Sequence, residues 1–366
     1  MMYLDHGATS FPKPQAVEAA MVRALRTCAN PGRGGYTAAM RGANLVFRVR
    51  QMASELFDCK PEQVVFTGNC TQGLNIAMRT LIRSGDRVAI SGFEHNAVTR
   101  TLRGLGAQAV VAGRILFDPE DTLRQFVLAL RSGVKAAVFT HVSNVFGYIL
   151  PVEEMAAACR EYEVPFVVDA AQSAGCLPVT LSHWGADFVA MPGHKGLLGP
   201  QGTGILLCNR QPEPMLFGGT GSESALQEMP AFLPDRLEAG TLNVPGIAGL
   251  GAGIQWVART GTAHILRQEQ ATARQCVKML QDRGYRVFFG QRQTGTVSFT
   301  GQEDCQRIAE KLARQGVAVR AGLHCAPLAH QSAGTFPEGT VRISFGAGAR
   351  AEQVAVLAEK LPVNSV

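Results

Sequence analysis

Short apolar runs recur through the first two thirds of this sequence, and most are spaced widely enough to leave room for one amphipathic helix between them. The candidate strands are Val64–Thr67, Val88–Ser91, Ala109–Val111, Ala136–Thr140, Phe166–Asp169, Phe188–Met191 and Gly204–Leu207. Each of the earlier ones is followed by a helical pattern. That alternation predicts an α/β fold built on a mostly parallel, seven-stranded sheet covered on both faces. An extended arm to about Pro14, a helix Ala16–Thr27, a loop over Ala29–Gly35 and a long helix through Phe57 precede the strands.

After about Gly253 the texture changes. A helix His264–Arg283, strands Tyr285–Phe289 and Gly295–Thr300, a helix Asp304–Arg314, strands Val317–Arg320 and Thr340–Ser344, and a helix Ala351–Leu361 suggest a smaller α+β unit. A chain of 366 residues exceeds one ordinary core. The expected division is a large domain of residues 15–253 and a small domain of residues 1–14 and 254–366.

Composition removes several function classes. The net charge of +6 is modest and no Lys/Arg run stands out, so nucleic acid is not an expected partner. No apolar stretch approaches the roughly 20 residues that cross a bilayer, and the N-terminus does not resemble a signal peptide. Neither a membrane location nor secretion is expected. Nine cysteines are scattered without a CxxC pair or a Cys/His cluster, which argues against a metal site and for free thiols in a reducing cytoplasm.

The richest phrases are Phe166-Val-Val-Asp-Ala-Ala-Gln-Ser173 and Phe188-Val-Ala-Met-Pro-Gly-His-Lys195. Each is an apolar strand that ends in polar residues. Ligands of open α/β sheets gather where strands end. Singly, Asp169 reads as a helix cap and Lys195 as a solvated loop lysine. Together with His194 and the glycines of GLLGPQGTG, they read as one site. A lysine to form a Schiff base and an acid to keep a pyridine nitrogen protonated are what pyridoxal phosphate (PLP) requires.

VVDAAQSAG followed by ADFVAMPGHKG and LLGPQGTGIL resembles the class V branch of fold-type-I PLP-dependent transferases, and within it the cysteine desulfurase and selenocysteine lyase group. The resemblance covers nearly the whole chain. It implies that Lys195 carries the cofactor, that Asp169 partners the pyridine nitrogen, that Gln172 meets the ring hydroxyl and that His194 lies near the phosphate. Phe66-Thr-Gly-Asn-Cys-Thr-Gln-Gly-Leu-Asn75 reads as strand, turn and helix, and a helix N-terminus attracts anions. The resemblance assigns Asn69, Cys70 and Thr71 there to the phosphate, Cys70 through its backbone where a threonine is usual. It gives His95 a stacking position on the ring and Asn144 a contact with the ring hydroxyl. Thr220, in Phe217-Gly-Gly-Thr-Gly-Ser222, matches a threonine that reaches the partner subunit's phosphate, so a homodimer is implied. Pro192 departs from the pattern, since a phosphate-binding serine is common there and proline brings neither hydroxyl nor N–H. The stretch after Lys195 is also one residue longer.

Arg320-Ala-Gly-Leu-His-Cys-Ala-Pro327 resembles the RxGxHCA phrase of group II (Suf-type) desulfurases, with Leu323 a departure. Cys325 is thereby the implied sulfur-accepting thiol, helped by a basic neighbourhood that favours thiolate. Arg342 matches the arginine that grips the substrate carboxylate, a task suited to a planar guanidinium, and Arg320 helps to organise the same pocket. The implied reaction converts L-cysteine to L-alanine with sulfur held on Cys325 for an acceptor protein. L-selenocysteine is a second substrate to weigh. Alternatives are a selenocysteine lyase, a cystine C–S lyase, another class V aminotransferase, or a catalytically inactive scaffold.

Overall fold

The computed structural model describes residues 1–32 and 34–364. Arg33, inside the expected loop Ala29–Gly35, lies outside the described residues. The chain opens with β1 (Met2–Tyr3), an arm, and helices α1 (Gln15–Thr27) and α2 (Thr37–Leu56). Then come β2 (Val64–Thr67), α3 (Cys70–Leu81), β3 (Arg87–Ser91), α4 (Asn96–Gly104), β4 (Gln108–Ala112) and α5 (Pro119–Arg131). The series continues with β5 (Ala136–Thr140), α6 (Val152–Glu161), β6 (Phe166–Asp169), α7 (Leu181–Trp184), β7 (Phe188–Pro192) and β8 (Gly204–Cys208). Each of the seven strands expected from the sequence is present to within one residue at either end.

These seven strands form one sheet in the order β2-β8-β7-β6-β5-β3-β4. Only β8 runs against its neighbours, β2 and β7. Strands β5 to β8 are buried at every position, so alternation of side chains sorts two apolar sets rather than an apolar and a polar one. Phe139, Val168, Val189 and Ile205 join a core with Val46 of α2, Phe126 of α5 and Met155 of α6. Val138, Val167, Ala190 and Leu206 join another with Leu74 and Met78 of α3 and Val98 of α4. The sheet is thus covered twice, which leaves the strand ends as the place for polar chemistry.

Next, α8 (Val244–Thr260) packs on α1 and α2. The expected division at residue 253 falls inside this helix, which continues until Gly261 (φ +83°) turns the chain into α9 (Thr262–Asp282). The remaining elements are β9 (Arg286–Phe288), β10 (Thr296–Thr300), α10 (Cys305–Arg314), β11 (Val317–Ala318), β12 (Arg320–Gly322), α11 (Pro327–Ala333), β13 (Thr340–Ser344) and α12 (Ala351–Lys360). Strands β12-β13-β10-β9 make an antiparallel sheet. Its core includes Phe299, Leu312, Ile343 and Leu357, together with Leu4 from the N-terminal arm. The single strand expected over Val317–Arg320 is two. β11 pairs with β1 and β12 pairs with β13, because the returning N-terminus supplies a separate partner. Among the described residues, no helix is long and apolar enough to cross a membrane.

Two buried carboxyls tie the large sheet together. Glu238 accepts from Arg50 through both oxygens, at 2.9 and 2.8 Å, and from the Phe66 amide at 2.7 Å, with Glu238 and Arg50 only 8% and 6% exposed. Arg50 also lies over the Phe66 ring, 4.7 Å from its centre. Removing one member of a buried pair strands the other charge. Glu238→Ala should therefore lower stability by about 3 kcal/mol, read as a fall in the denaturant midpoint; an unchanged midpoint contradicts this role.

Glu94 bridges the ends of β3 and β5, accepting from Ser91 Oγ and from the Thr140 amide at 2.9 Å. Its Oε2 has no partner, and burial pushes the carboxyl up to about 8. A raised folded-state pKa adds stability below the unfolded value of 4.5 and loses it as pH rises through 8. The glutamine variant mimics the neutral acid. Melting curves should therefore show Glu94→Gln gaining on the native protein as pH rises from 4.5 to 8, with the difference constant above that. A difference independent of pH would show that Glu94 stays ionised.

Candidate active site

The carboxyl ends of β5, β6 and β7, with the first turns of α3 and α4, enclose a cavity of about 240 Å3. Of the residues singled out in the sequence, all but Cys325 and Thr220 line it: Asn69, Cys70, Thr71, His95, Asn144, Asp169, Gln172, His194, Lys195, Arg320 and Arg342.

Asp169 closes β6, whose neighbour β7 leads directly to Lys195. The carboxylate is buried and accepts from the Ala171 amide at 2.8 Å and from the Cys70 thiol at 3.5 Å. Lys195 keeps surface open to the cavity, yet the protein packed around it lowers its pKa, chiefly by desolvation and against the opposing pull of Asp169. The shift moves the amine toward its neutral form. Two glycines fix this register. A Cβ on Gly175 would collide with the Gly196 carbonyl, and one on Gly196 with the Ala174 carbonyl, so the segments behind Asp169 and Lys195 run in backbone contact. After Lys195 the chain turns, with Leu198 at φ +61° and Gly199 donating to the Gly193 carbonyl at 2.7 Å.

Around this pair the polar groups are already partly engaged. Asn69 Oδ1 accepts from the Gln72 amide at 2.9 Å and caps α3, so its side chain does what a helix cap does. The Cys70 thiol is turned to Asp169, and its pKa is raised well above the ordinary thiol value by burial. What the helix start offers a ligand is therefore the amides of its first residues, with the exposed Thr71. Pro192 sits in the wall and brings no donor. His95 caps α4 by accepting from the Ala97 amide at its Nδ1 (3.0 Å), which leaves Nε2 as the protonated nitrogen, and burial lowers its pKa. Gln172 Nε2 donates to the Gly7 carbonyl at 3.0 Å. His194 pairs its ring with Thr9 at 3.1 Å, while its carbonyl accepts from Ser10 and Lys13.

Arg342 is 1% exposed, donating to the Asn144 carbonyl at 2.9 Å and forming an ion pair with Asp5, while its Nε has no partner. Asn144 Nδ2 donates to the His324 carbonyl at 2.7 Å, and its buried Oδ1 is unpaired. His324 and Cys325 both take left-handed backbone (φ +49° and +57°), a conformation that costs non-glycine residues about 1 kcal/mol each. Cys325 is the exposed cysteine among nine free ones, and Arg320 Nη2 lies 3.7 Å from its sulfur. The thiol thus stands one residue beyond the cavity wall, on a strained loop with a guanidinium against it.

Thr220 is not brought into this cavity. It bonds Ser222 Oγ at 3.1 Å and lines a separate hollow of about 420 Å3 beside Arg50 and Glu238. Sequence reasoning did not single out Asp5, Glu94 or the role of the N-terminal arm, where Gly7 approaches the Arg342 guanidinium closely enough that a Cβ would lie 3.1 Å from it. Asp5 and Arg342 are 337 positions apart, and no local signal links them.

The aminotransferase class-V family profile matches residues 2–357. A probable cysteine desulfurase of Methanothermobacter thermautotrophicus is 32% identical, with 98% of this chain and 94% of that relative covered. A cysteine desulfurase of Escherichia coli is 31% identical over 89% of this chain and 84% of its own length. The apo structure of a cysteine desulfurase from Thermococcus onnurineus superposes with a TM-score of 0.89 at 31% identity, covering 98% of this chain and 93% of that one. On that coverage and identity, the chain belongs to the class-V aminotransferase family.

Proposed function

We propose that this protein is a PLP-dependent cysteine desulfurase, converting L-cysteine to L-alanine and taking the sulfur as a persulfide on Cys325. The observation that carries the reading is one cavity holding Lys195, Asp169 and Arg342, with an exposed thiol at its edge. The residues fit the cofactor: the buried Asp169 carboxylate, an amine biased toward neutrality and the Asn144 side chain all belong to residues that line one space. When bound, PLP supplies an electron-accepting ring conjugated to the substrate's central carbon.

The protein's own groups divide the remaining work. Asp169 keeps a proton on the ring nitrogen by its negative charge. Neutral His95 offers its flat ring and one N–H to the same space. Lys195 Nζ, which desolvation shifts toward its neutral form, takes the proton from the substrate's α-carbon. Arg342 meets the substrate carboxylate with the N–H that Asp5 and Asn144 leave free. Cys325 Sγ, with Arg320 against it to balance negative charge, bonds to the substrate sulfur; the carbon–sulfur bond breaks, its electron pair passes to carbon, and protonation releases alanine. The persulfide then stands exposed for a sulfur-accepting protein.

Phosphate donors within one chain are few, since Asn69 is spent on a cap, Cys70 on Asp169, and Pro192 has none. Thr220 from a second copy would supplement them. Phe217 beside it is 77% exposed in the single chain, as a residue awaiting a homodimer interface would be.

With L-cysteine and a reductant, alanine and sulfide should appear in equal amounts. Cys325→Ser should retain the visible absorption of the loaded enzyme and lose about 100-fold or more of this turnover. Full turnover by the variant removes Cys325 from the reaction, and no turnover by the native protein removes the desulfurase reading.

A further inference from the structure

We propose that Lys13 is a positioning residue for Lys195, its ammonium pinning the peptide carbonyl from which the candidate cofactor lysine sets out. The inference rests on the reading of Lys195 as the attachment point for PLP.

The peptide joining His194 to Lys195 lies outside regular structure. Strand β7 ends at Pro192, and Gly193 and Gly196 flank the pair. Glycine restricts its own backbone least, so hydrogen bonds from elsewhere must set the place of Lys195. On its far side, the Lys195 carbonyl accepts from the Leu198 amide at 2.9 Å. On its near side, the His194 carbonyl meets the N-terminal arm, where four donors converge. They are the Ser10 amide, Ser10 Oγ and Thr9 Oγ1, each at 3.0 Å, and Lys13 Nζ at 2.8 Å. A carbonyl oxygen carries only two lone pairs. Thr9 Oγ1 is shared with the His194 ring at 3.1 Å, and Ser10 Oγ accepts from Lys13 at 2.7 Å. Lys13 is thus the shortest of the four donors and the charged one, and it orients a second.

An ammonium is a costly choice for this spot. Lys13 is half-buried, desolvation pushes its pKa down to about 8, and the ion pairs among the described residues do not include it. An apolar side chain would avoid that cost, so the fold alone gives no reason for a charge here. What the charge supplies is strength, since a charged donor makes a hydrogen bond roughly twice as strong as a neutral one. The neighbouring His6 and His194 rings are both held down to about 4, chiefly by burial, and so stay neutral beside it. The same arm pairs Arg342 through Asp5 and holds Gln172 through the Gly7 carbonyl. It therefore runs from the candidate carboxylate-binding arginine to the candidate cofactor lysine, and Lys13 fastens its second end.

Two readouts test this. Lys13→Met keeps an unbranched side chain without charge or donor, and Lys13→Arg keeps both. Without PLP, hydrogen–deuterium exchange of peptides covering Ser10 and residues 193–199 should quicken about tenfold in Lys13→Met, the scale of one charge-assisted hydrogen bond. A peptide over β6 should stay unchanged as the fold control. On mixing with PLP, the rise of the visible band, trapped with borohydride and mapped to Lys195, should be about tenfold slower in Lys13→Met, because an amine held off its geometry reacts more slowly. Lys13→Arg should restore both rates. Lys13→Gln, which keeps a donor but no charge, should fall between the two and serves in place of Lys13→Met if β6 loosens there. Native-rate exchange or native-rate loading in Lys13→Met, or an arginine variant no better than the methionine one, overturns the proposal. Native protein that forms no adduct at Lys195 removes the PLP reading instead. The exchange comparison, made without PLP, then still decides whether Lys13 holds the His194 carbonyl.

Discussion

Asp169 and Lys195 stand at the ends of adjacent parallel strands, and taking a carboxylate and an amine out of water at one spot constrains everything around them. Desolvation penalises each charge, and a lone one would not survive there. The structure meets the cost in three ways. The acid receives an amide and a thiol hydrogen bond, the amine is shifted toward its neutral form, and the backbone segments behind both are locked by glycines that admit no side chain. A sheet with apolar faces on both sides is what makes that spot the natural exit for polar chemistry.

The second half of the site comes from the two extremes of the chain. Asp5 lies beside β13 and holds Arg342, while β1 adds itself to β11. Arg342 then reaches across to Asn144, which reaches to His324, beside the exposed thiol. This is a continuous run of hydrogen bonds from the N-terminal arm through the guanidinium to the strained loop. Because most of its members are buried, losing one leaves another unpaired rather than solvated, and the run is therefore expected to behave as a unit.

The seven strands of the large sheet were legible because each is a continuous apolar run bounded by polar residues. Asp169 and Lys195 were legible because a charged residue at the end of such a run can only sit at the sheet's edge, where ligands bind. The small unit was harder. Val317–Arg320 reads as one strand, and only the return of Met2–Tyr3 shows that Val317–Ala318 belongs to a separate pairing. Asp5 and the Asn144–His324 bond escaped for the same reason, being contacts between residues 180 or more positions apart. Asn69 taught a different lesson. Its polar side chain in a candidate phosphate turn is also a helix cap, and the structure spends it on the cap. Local patterns report periodicity and termini; they are silent on which distant partner consumes a polar group.

The central claim is that the amine of Lys195, beside the Asp169 carboxylate, is the attachment point for PLP. Loading the purified protein with PLP, reducing it with borohydride and sequencing its peptides by mass spectrometry tests this directly. A phosphopyridoxyl group on Lys195, absent from a Lys195→Ala variant, is the predicted result. A protein that stays colourless and unlabelled, or one labelled at another lysine, would contradict the account.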